Sequence, residues 1–409
     1  MELFYILLVL LIVTRVGGEI ALRLGQPALI GNLLAGIALG MVVKHFDQSF
    51  PVLSELTENP VFTSIVDLAV FFLMLLAGME MRPRELVEGS GKSVAVALGG
   101  MLVPLAAGVA LAWAFIPESE YRSAQIMFVA TAMAITAIPV AVKVLLDIGK
   151  LKSRVGKLIV SAALFDDVLG LVLLAVLTAL LQTGEFPGWL GILALLGRVA
   201  LFFLICGILG MYVFPWIAKL FRKSLIEEME FSFLLVGGLS FAVLAELLHL
   251  HFILGAFLAG LFFTTRSFGT KKFKNVESKV TAVSTGFLAP IFFASIGLHL
   301  DLRAVAEIPL FVGLLVFFAI ASKFIGAGLP ALWVGLGRRE AAQVGIGMSA
   351  RGAVELIIAD IALRAGLFTK PEPVPPIISS MFSAVVIMAV VTTFVMPIGL
   401  KILVRSERD

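Results

Sequence analysis

Two adjacent aspartates, Asp166 and Asp167, lie in the apolar stretch SAALFDDVLGLVLLAVL. Successive side chains of a helix point about 100° apart, so the two carboxylates cannot share one ligand symmetrically. Burying two neighbouring negative charges would cost several kcal/mol each unless a positive charge compensates them. The pair therefore predicts a positive charge beside it, which could be a fixed side chain, a proton or a monovalent metal ion.

A fixed cation is available in another apolar stretch, FFAIASKFIGAGLPALW, which contains Lys323. Gly326 and Gly328 follow it and permit a neighbouring helix to approach closely. A structural salt bridge to Lys323 would account for one aspartate but not for the second. We therefore expect Asp166, Asp167 and Lys323 to handle a cation rather than to serve packing alone.

A third apolar stretch, ATAMAITAIPV at residues 130–140, contains residues that interrupt a helix. Pro139 has no N–H and removes one intrahelical hydrogen bond. The hydroxyls of Thr131 and Thr136 can satisfy carbonyls freed in this way. We expect a discontinuous helix, with its break around Ala132, Thr136 and Pro139, and Thr131 as an oxygen ligand for the cation.

A fourth stretch, GMSARGAVELI at residues 347–357, has a similar polar patch with Ser349, Arg351 and Glu355. It also predicts a discontinuous helix, and the ends of two such helices would present partial charges of both signs in mid-membrane. Arg351 and Glu355 are four residues apart. They could compensate the C-terminal and N-terminal half-helix dipoles respectively, or pair with each other, and the sequence does not choose.

The chain as a whole has the composition of a membrane protein, with 60% hydrophobic and 14% charged residues. A soluble domain of average composition is about 25% charged. Apolar runs predict an all-α polytopic protein with lipid as its solvent. The thirteen predicted spans are 2–22, 27–43, 61–79, 93–116, 124–146, 156–182, 190–218, 229–248, 251–265, 281–300, 307–335, 341–363 and 377–402.

Basic residues concentrate in alternate connections, such as 150–157 and 266–279, which predicts that these face the cytoplasm. The predicted topology in a cell inner membrane has the N-terminus outside and the C-terminus cytoplasmic. The basic charge is then explained by the anionic lipid leaflet, and no nucleic-acid partner is needed. We expect the first span to be retained, because no basic n-region or clear cleavage site accompanies it. We expect any cytosolic regulatory domain to be absent or on a separate subunit.

Short matches between the two halves of the chain predict an internal repeat. LIGNLLAG at 29–36 is similar to ILGAFLAG at 253–260, and the two stretches with predicted helix breaks form another pair in the same order. The members of each pair are seven positions apart in the order of spans, an odd number, so they have opposite orientations. This pattern predicts a six-plus-six inverted repeat with two discontinuous crossing helices, as in many secondary transporters.

These residues resemble the monovalent cation:proton antiporter-2 family, whose members have the NhaA/NapA-like fold and include Kef-type relatives. The resemblance covers essentially the whole chain and rests on GQPALIGNLLAGIALG, ATAMAITAIPVAV, LFDDVLGL, PIFFASIGLHLDL, ASKFIGAG and SARGAVELI. It implies a secondary active transporter that exchanges Na⁺ or K⁺ for protons by alternating access, in the service of pH homeostasis. It further implies that Asp167 binds the ion and the proton, and that Asp166 forms a breakable salt bridge with Lys323.

The resemblance also implies a homodimer with a fixed division of the chain. Residues 1–92 and 226–305 would form the dimerisation domain, residues 93–186 and 306–409 the moving core, and residues 187–225 a linker helix. Asp166 stands where Kef-type potassium members have Gln, and RGAVELI is closer to plant cation/proton exchangers than to the RGE form of sodium antiporters. Both Na⁺ and K⁺ therefore stay open.

Electrogenic exchange is expected if Lys323 also cycles its proton, because two protons then move per cation.

Two other transport classes are alternatives to exchange. A cation channel would need a symmetric pore-lining ring or filter, and the sequence contains no such pattern. An organic-solute/sodium symporter of the same fold would be expected to lack the aspartate pair with a membrane lysine. No nucleophile–base constellation or cofactor motif predicts an enzyme.

Overall fold

The computed structural model describes residues 2–45, 59–81, 91–183, 189–220 and 228–405. Every regular element within these ranges is helical, so the prediction of an all-α fold is confirmed. Nine of the described helices are long and apolar enough to cross a membrane, and Ala28–Val43 and Phe252–Phe262 are shorter apolar helices. The prediction of a protein with many membrane spans is confirmed at this level.

The helices alternate with short connections. Two π-helical turns, Leu209–Val213 and Ser284–Leu288, join helices that continue on either side of them. In chain order the helices are α1 (Glu2–Arg23), α2 (Ala28–His45), α3 (Pro60–Glu80), α4 (Gly91–Phe115), α5 (Arg122–Ala134), α6 (Ile138–Asp147), α7 (Arg154–Thr183), α8 (Trp189–Ile208), α9 (Phe214–Leu220), α10 (Met229–Leu247), α11 (Phe252–Phe262), α12 (Thr265–Phe268), α13 (Thr270–Val283), α14 (Ala289–His299), α15 (Ala304–Glu307), α16 (Pro309–Trp333), α17 (Arg338–Gly347), α18 (Ala353–Arg364), α19 (Pro376–Ser379) and α20 (Met381–Arg405).

The span predicted at 281–300 belongs to a longer helix, which runs through α13 and α14 from Thr270 to His299. The first part of this helix is polar, with three lysines in its opening turns. Hydropathy identifies only apolar segments, so this extension has no signal in the pattern. The helix is stabilised at its polar end by ion pairs from Lys272 to Glu230 and from Lys279 to Glu228.

The chain forms two compact units. The first consists of the described residues within Met1–Arg84 and Leu190–His299. Small residues allow its helices to pack closely: a methyl group added at Gly36 of α2 would lie 2.5 Å from the Ala294 carbonyl of α14. A methyl group at Gly78 of α3 would lie 2.0 Å from the Phe257 carbonyl of α11. Such approaches are typical of helix interfaces in membranes.

The second unit consists of the described residues within Glu85–Trp189 and Leu300–Asp409. Its central contact joins α4 and α16, where methyl groups added at Gly99 and Gly326 would each lie 2.3–2.4 Å from the other glycine's carbonyl oxygen. Helix α17 also packs on α16. A methyl group added at Gly345 of α17 would lie 2.6 Å from the Phe324 carbonyl oxygen of α16. These contacts hold Lys323, one turn before Gly326, in the interior.

Two apolar stretches of the second unit are interrupted in the middle. We call residues 135–137, between α5 and α6, the first break, and residues 348–352, between α17 and α18, the second break. A continuous helix across the first break would need an N–H at position 139 for the Ile135 carbonyl, and Pro139 in the first turn of α6 has none. At the second break the chain becomes extended at Gly352, whose φ is −168°.

Candidate functional site

Lys323 on α16 and Asp166 on α7 form a buried ion pair. The lysine Nζ lies 3.1 Å from Oδ2 and 3.3 Å from Oδ1 of the aspartate, and the two side chains are 0% and 1% exposed. Lys323 also donates a hydrogen bond to the carbonyl of Ala134, the last residue of α5. Removing either member of a buried pair leaves an uncompensated charge at a cost of about 3–5 kcal/mol.

Asp167 lies on a different side of α7 from Asp166. Asp167 is half-buried, whereas Asp166 is buried against Lys323. The charge of Lys323 also acts on Asp167. One turn further along α7, Gly170 faces the first break, and a methyl group added there would lie 3.2 Å from the Ile135 side chain. The aspartate pair is therefore held beside the break by its own helix.

Arg351, in the second break, reaches the end of α5. Its guanidinium is buried and donates hydrogen bonds to the carbonyls of Ala132 and Met133 and, at 2.7 Å, to that of Ile135. Together with the bond from Lys323 to Ala134, four successive carbonyls accept hydrogen bonds from two buried cations. Helix C-termini carry partial negative charge, so these cations compensate the end of α5.

The two breaks are hydrogen-bonded to each other. Thr136 donates from its hydroxyl to the Met348 carbonyl at 3.0 Å, and the Ala137 N–H donates to the Ala350 carbonyl at 2.8 Å. A methyl group added at Gly352 would lie 2.5 Å from Cβ of Ala137. The absence of a side chain at Gly352 therefore lets the two interrupted chains meet.

Glu355 lies in the first turn of α18, where the helix N-terminus favours negative charge. Its Oε2 lies 3.8 Å from Nε of Arg351, and both side chains are 0% exposed. The sequence left two arrangements open for these residues, and the geometry combines them. Arg351 is at the C-terminus of α5, Glu355 is at the N-terminus of α18, and the two charges are also neighbours.

Thr131 lies in the last turn of α5 and is fully buried. Its hydroxyl oxygen has no hydrogen-bond partner in the part of the chain that the structure describes. A buried hydroxyl without a partner is an available oxygen ligand or donor for a bound species. The predicted ligand residue is thus in an environment that leaves its oxygen uncommitted.

The predicted break residues lie at and around the breaks. Thr136 is in the first break, and Ser349 and Arg351 are in the second. Ala132 is still helical, because the Ile135 N–H donates to the Thr131 carbonyl. Ala132 contributes to the site through its own backbone carbonyl, which accepts a hydrogen bond from Arg351. Pro139 and Glu355 occupy first turns of the helices that follow, and the Pro139 side chain is not among those described.

Some participants had no signal of their own in the sequence. The carbonyls of Met133, Ala134 and Ile135 are backbone groups that every residue has. Thr393 on α20 donates a 3.0 Å hydrogen bond to the Arg351 carbonyl. A polar Thr392–Thr393 pair in an otherwise apolar span was the available clue for this residue.

The ionisable side chains described at this site are of both signs. Among the described side chains deep in the second unit there are three carboxylates, Asp166, Asp167 and Glu355, and two cations, Lys323 and Arg351. A further carboxylate, Asp360, forms its own 2.9 Å ion pair with Arg364. The carboxylates described at this site therefore outnumber the cations described there. Within the described residues no cluster of three or more His, Cys, Asp or Glu could hold a metal ion.

Comparisons with known proteins cover nearly the full chain. Residues 6–406 match the family described as "Sodium/hydrogen exchanger, transmembrane". The chain is 30% identical over 400 residues to the Na⁺/H⁺-K⁺ antiporter GerN of Bacillus cereus, covering 98% of this chain and 96% of that protein. It is 29% identical over 401 residues to a Na⁺/H⁺ antiporter of Enterococcus hirae, with 98% of each covered. The fold is similar to that of the sodium proton antiporter MjNhaP1 from Methanocaldococcus jannaschii, with a TM-score of 0.71 and 17% identity over 98% of this chain and 96% of that chain.

Proposed function

The chain belongs to the transmembrane sodium/hydrogen exchanger family, and we propose from this premise that it exchanges a monovalent cation for protons across the membrane. It is a multi-pass membrane protein, since its family is transmembrane and nine of its described helices could span a bilayer. The family is one of transporters rather than enzymes. The proposal agrees with the names of the relatives, which are antiporters of Na⁺, K⁺ and H⁺.

The observation that carries this function is the buried Lys323–Asp166 pair, beside a second, half-buried aspartate on the same helix. Asp167 binds either the proton or the cation, so the two compete for one position. At higher pH the site loses its proton, and a dehydrated cation enters with oxygen ligands from Asp167, Asp166 and Thr131. Competition for one site is what couples the two fluxes.

Cation binding acts on the ion pair as well as on Asp167. A monovalent cation near Asp166 competes with Lys323 for the same carboxylate, because both are positive charges in a poorly solvated site. The lysine then retains only the Ala134 carbonyl as a described partner. We infer that the Asp166–Lys323 salt bridge breaks when the cation is loaded and forms again when it leaves. If Lys323 also loses its proton, two protons move per cation and the exchange is electrogenic.

Either Na⁺ or K⁺ is the transported cation. Carboxylate, hydroxyl and carbonyl oxygens are hard ligands that suit both ions. GerN is named for both ions, while the relative from Enterococcus hirae is named for Na⁺. We therefore propose Na⁺ or K⁺ as the substrate of the same site.

The two compact units suggest a division of labour. We propose that the first unit, close to the ranges 1–92 and 226–305, forms the dimerisation domain of a homodimer. The second unit carries both helix breaks and is proposed as the moving core that exposes the loaded site to alternate sides of the membrane. Residues 187–225 would link the halves. A separate regulatory subunit would bind from the cytoplasm.

The proposed topology has thirteen spans in a six-plus-six inverted repeat, with the N-terminus outside and the C-terminus in the cytoplasm of a cell with an inner membrane. The similar positions of the two interrupted stretches within their halves of the chain support the repeat. The basic residues of the connections support the orientation.

Proteoliposomes with an imposed pH gradient test the function. Adding Na⁺ or K⁺ should relieve the quenching of a pH-sensitive dye, and Asp167→Asn should abolish this response, because the carboxylate that binds both ions is lost. Asp360→Asn is a matched control, since it removes a buried carboxylate of the same unit that has its own arginine partner. Wild-type rates in Asp167→Asn would contradict the proposed site.

A second measurement separates exchange from channel activity and tests electrogenicity. On a solid-supported membrane, steps of Na⁺, K⁺ and Li⁺ at several pH values should give saturable currents that require an opposing proton gradient. Currents that persist without any proton movement would indicate a channel and contradict exchange. A rate that is unaffected by an imposed potential would contradict electrogenic stoichiometry alone.

A further inference from the structure

Glu355 is a buried carboxyl group that the exchange mechanism above does not use. Its side chain is 0% exposed, and neither carboxylate oxygen takes part in a hydrogen bond with any group in the described part of the chain. Buried polar groups normally have such partners, so each exception needs an explanation. A carboxyl group of this kind is either protonated and neutral, or it binds a proton or another cation during part of the functional cycle.

The nearest cation does not satisfy Glu355. Arg351 directs its Nη1 and Nη2 atoms to the carbonyls at the end of α5, and its Nε is 3.8 Å from Oε2 of Glu355, beyond hydrogen-bond distance. The same helix provides a contrast in Asp360, which lies 2.9 Å from Arg364. Both pairs have a spacing of four residues, but only the Asp360 pair is within hydrogen-bond distance.

The charges around Glu355 and its burial act in opposite directions on its protonation state. Arg351 and, from α16, Lys323 act on it with positive charge, and the N-terminus of α18 adds partial positive charge. Asp166 on α7 acts on Arg351 with negative charge. The packed helices α5 and α20 have ionisable residues only at Arg122, Lys401 and Arg405, near their ends. Burial without hydrogen bonds favours the neutral acid while the cations favour the anion, a balance that lets a carboxyl group change its protonation state.

We propose that Glu355 is a second proton-binding group of the core, separate from Asp167, and that it is protonated when no cation is bound. The step is the formation of one O–H bond with a proton taken from water, and its reversal returns the proton to water. A cation beside Asp167 adds positive charge to the core, so the cation and the Glu355 proton disfavour each other through electrostatic repulsion. The inference rests on the proposed exchange and identifies a further residue that couples proton to cation.

Infrared difference spectroscopy on the reconstituted protein tests proton binding directly. Stepping the pH of wild-type proteoliposomes should reveal titrating C=O bands of protonated carboxyl groups, and the band of Glu355 should remain in Asp167→Asn, which lacks the Asp167 carboxyl. Glu355→Gln should lose this band, and Asp360→Asn should retain it. A band that is unchanged in Glu355→Gln, or no titrating carboxyl band in the wild-type protein, would overturn the proposal. If Glu355→Gln cannot be reconstituted, Glu355→Asp should move the band to another frequency, and an unmoved band would also overturn it.

Transport kinetics give the second readout. Glutamine mimics the protonated, neutral glutamate, so Glu355→Gln should raise the apparent KM for the cation at alkaline pH and leave it unchanged at acid pH. A KM profile parallel to that of the wild-type protein would contradict the coupling role. The proposed function fails separately: if Asp167→Asn exchanges normally, the main site is wrong whatever the Glu355 band does. If Asp167→Asn is inactive and Glu355→Gln has the wild-type profile, only the present inference fails.

Discussion

The two breaks of the second unit are stabilised by different kinds of donor. At the first break the carbonyls of residues 132–135, the last three of α5 and the first of the break, accept hydrogen bonds from the cations Lys323 and Arg351. At the second break the carbonyls of Met348, Ala350 and Arg351 accept hydrogen bonds from neutral groups, namely the Thr136 hydroxyl, the Ala137 N–H and the Thr393 hydroxyl.

This difference separates an adjustable element from a fixed one. A neutral hydroxyl or amide hydrogen bond does not respond strongly to a charge that arrives nearby. Lys323 is shared between the Ala134 carbonyl and the Asp166 carboxylate, so a cation that competes for Asp166 changes the forces on the first break. We infer that ion binding is sensed at the first break, while the second break provides the frame against which it moves.

The largest effect is expected from Arg351→Met, which removes the cation that serves three carbonyls, two at the end of α5 and one at the start of the first break. Each orphaned buried acceptor costs about 1–3 kcal/mol, so the variant should lose several kcal/mol and yield little folded protein. Size-exclusion chromatography and thermal unfolding in detergent measure this. Arg364→Met is the control, since Arg364 is 31% exposed and its ion pair with Asp360 lies within α18, outside the two breaks. Equal stability of the two variants would contradict the assignment of Arg351 as the main support of the first break.

Lys323→Met should cost about 3–5 kcal/mol, because it leaves the Asp166 carboxylate buried without its partner. The double variant Lys323→Met with Asp166→Asn should recover part of this loss, since the uncompensated charge is gone. A double-mutant cycle of unfolding free energies gives the coupling between the two side chains. A coupling of zero would show that the ion pair does not stabilise the first break, and the contrast with the second break would then be lost.

Gly352→Ala tests the contact between the breaks. The new methyl group would lie 2.5 Å from Cβ of Ala137, so the two chains must separate, at a cost of about 1–3 kcal/mol. Backbone strain is not the cause, because a φ of −168° is accessible to alanine. Gly313→Ala on α16 is the matched control, since no atom lies within 4 Å of its added methyl group. It should be neutral or stabilising by up to about 1 kcal/mol, and equal losses at the two sites would contradict the close crossing.

The smallest effect is expected from Thr136→Val, which removes one neutral hydrogen bond to the Met348 carbonyl. The expected loss is about 1 kcal/mol, measured as a shift in thermal unfolding. Thr369→Val removes an exposed hydroxyl contact, to the Gly366 carbonyl, and should have a negligible effect. If Thr136→Val were as damaging as Lys323→Met, neutral and cationic donors would be equivalent at the breaks.

Most of the helical framework was predictable because lipid imposes a simple condition on sequence. Every backbone group must be satisfied within the span, so long apolar runs become helices. Pro139 predicted an interruption for a similar reason, since it cannot donate to the Ile135 carbonyl. The helix boundaries at α13 escaped prediction, because hydropathy carries no information about a polar helical extension.

The sequence by itself determined which residues matter: charges in apolar stretches are expensive in any fold, and this singles out Asp166, Asp167, Lys323, Arg351 and Glu355. Only the tertiary structure decided how they are used. The ion pair of Lys323 with Asp166, the reach of Arg351 to the end of α5 and the lack of hydrogen bonds at Glu355 depend on helix packing and on backbone carbonyls. Carbonyls are identical in every residue, so sequence cannot indicate which of them a buried cation will find.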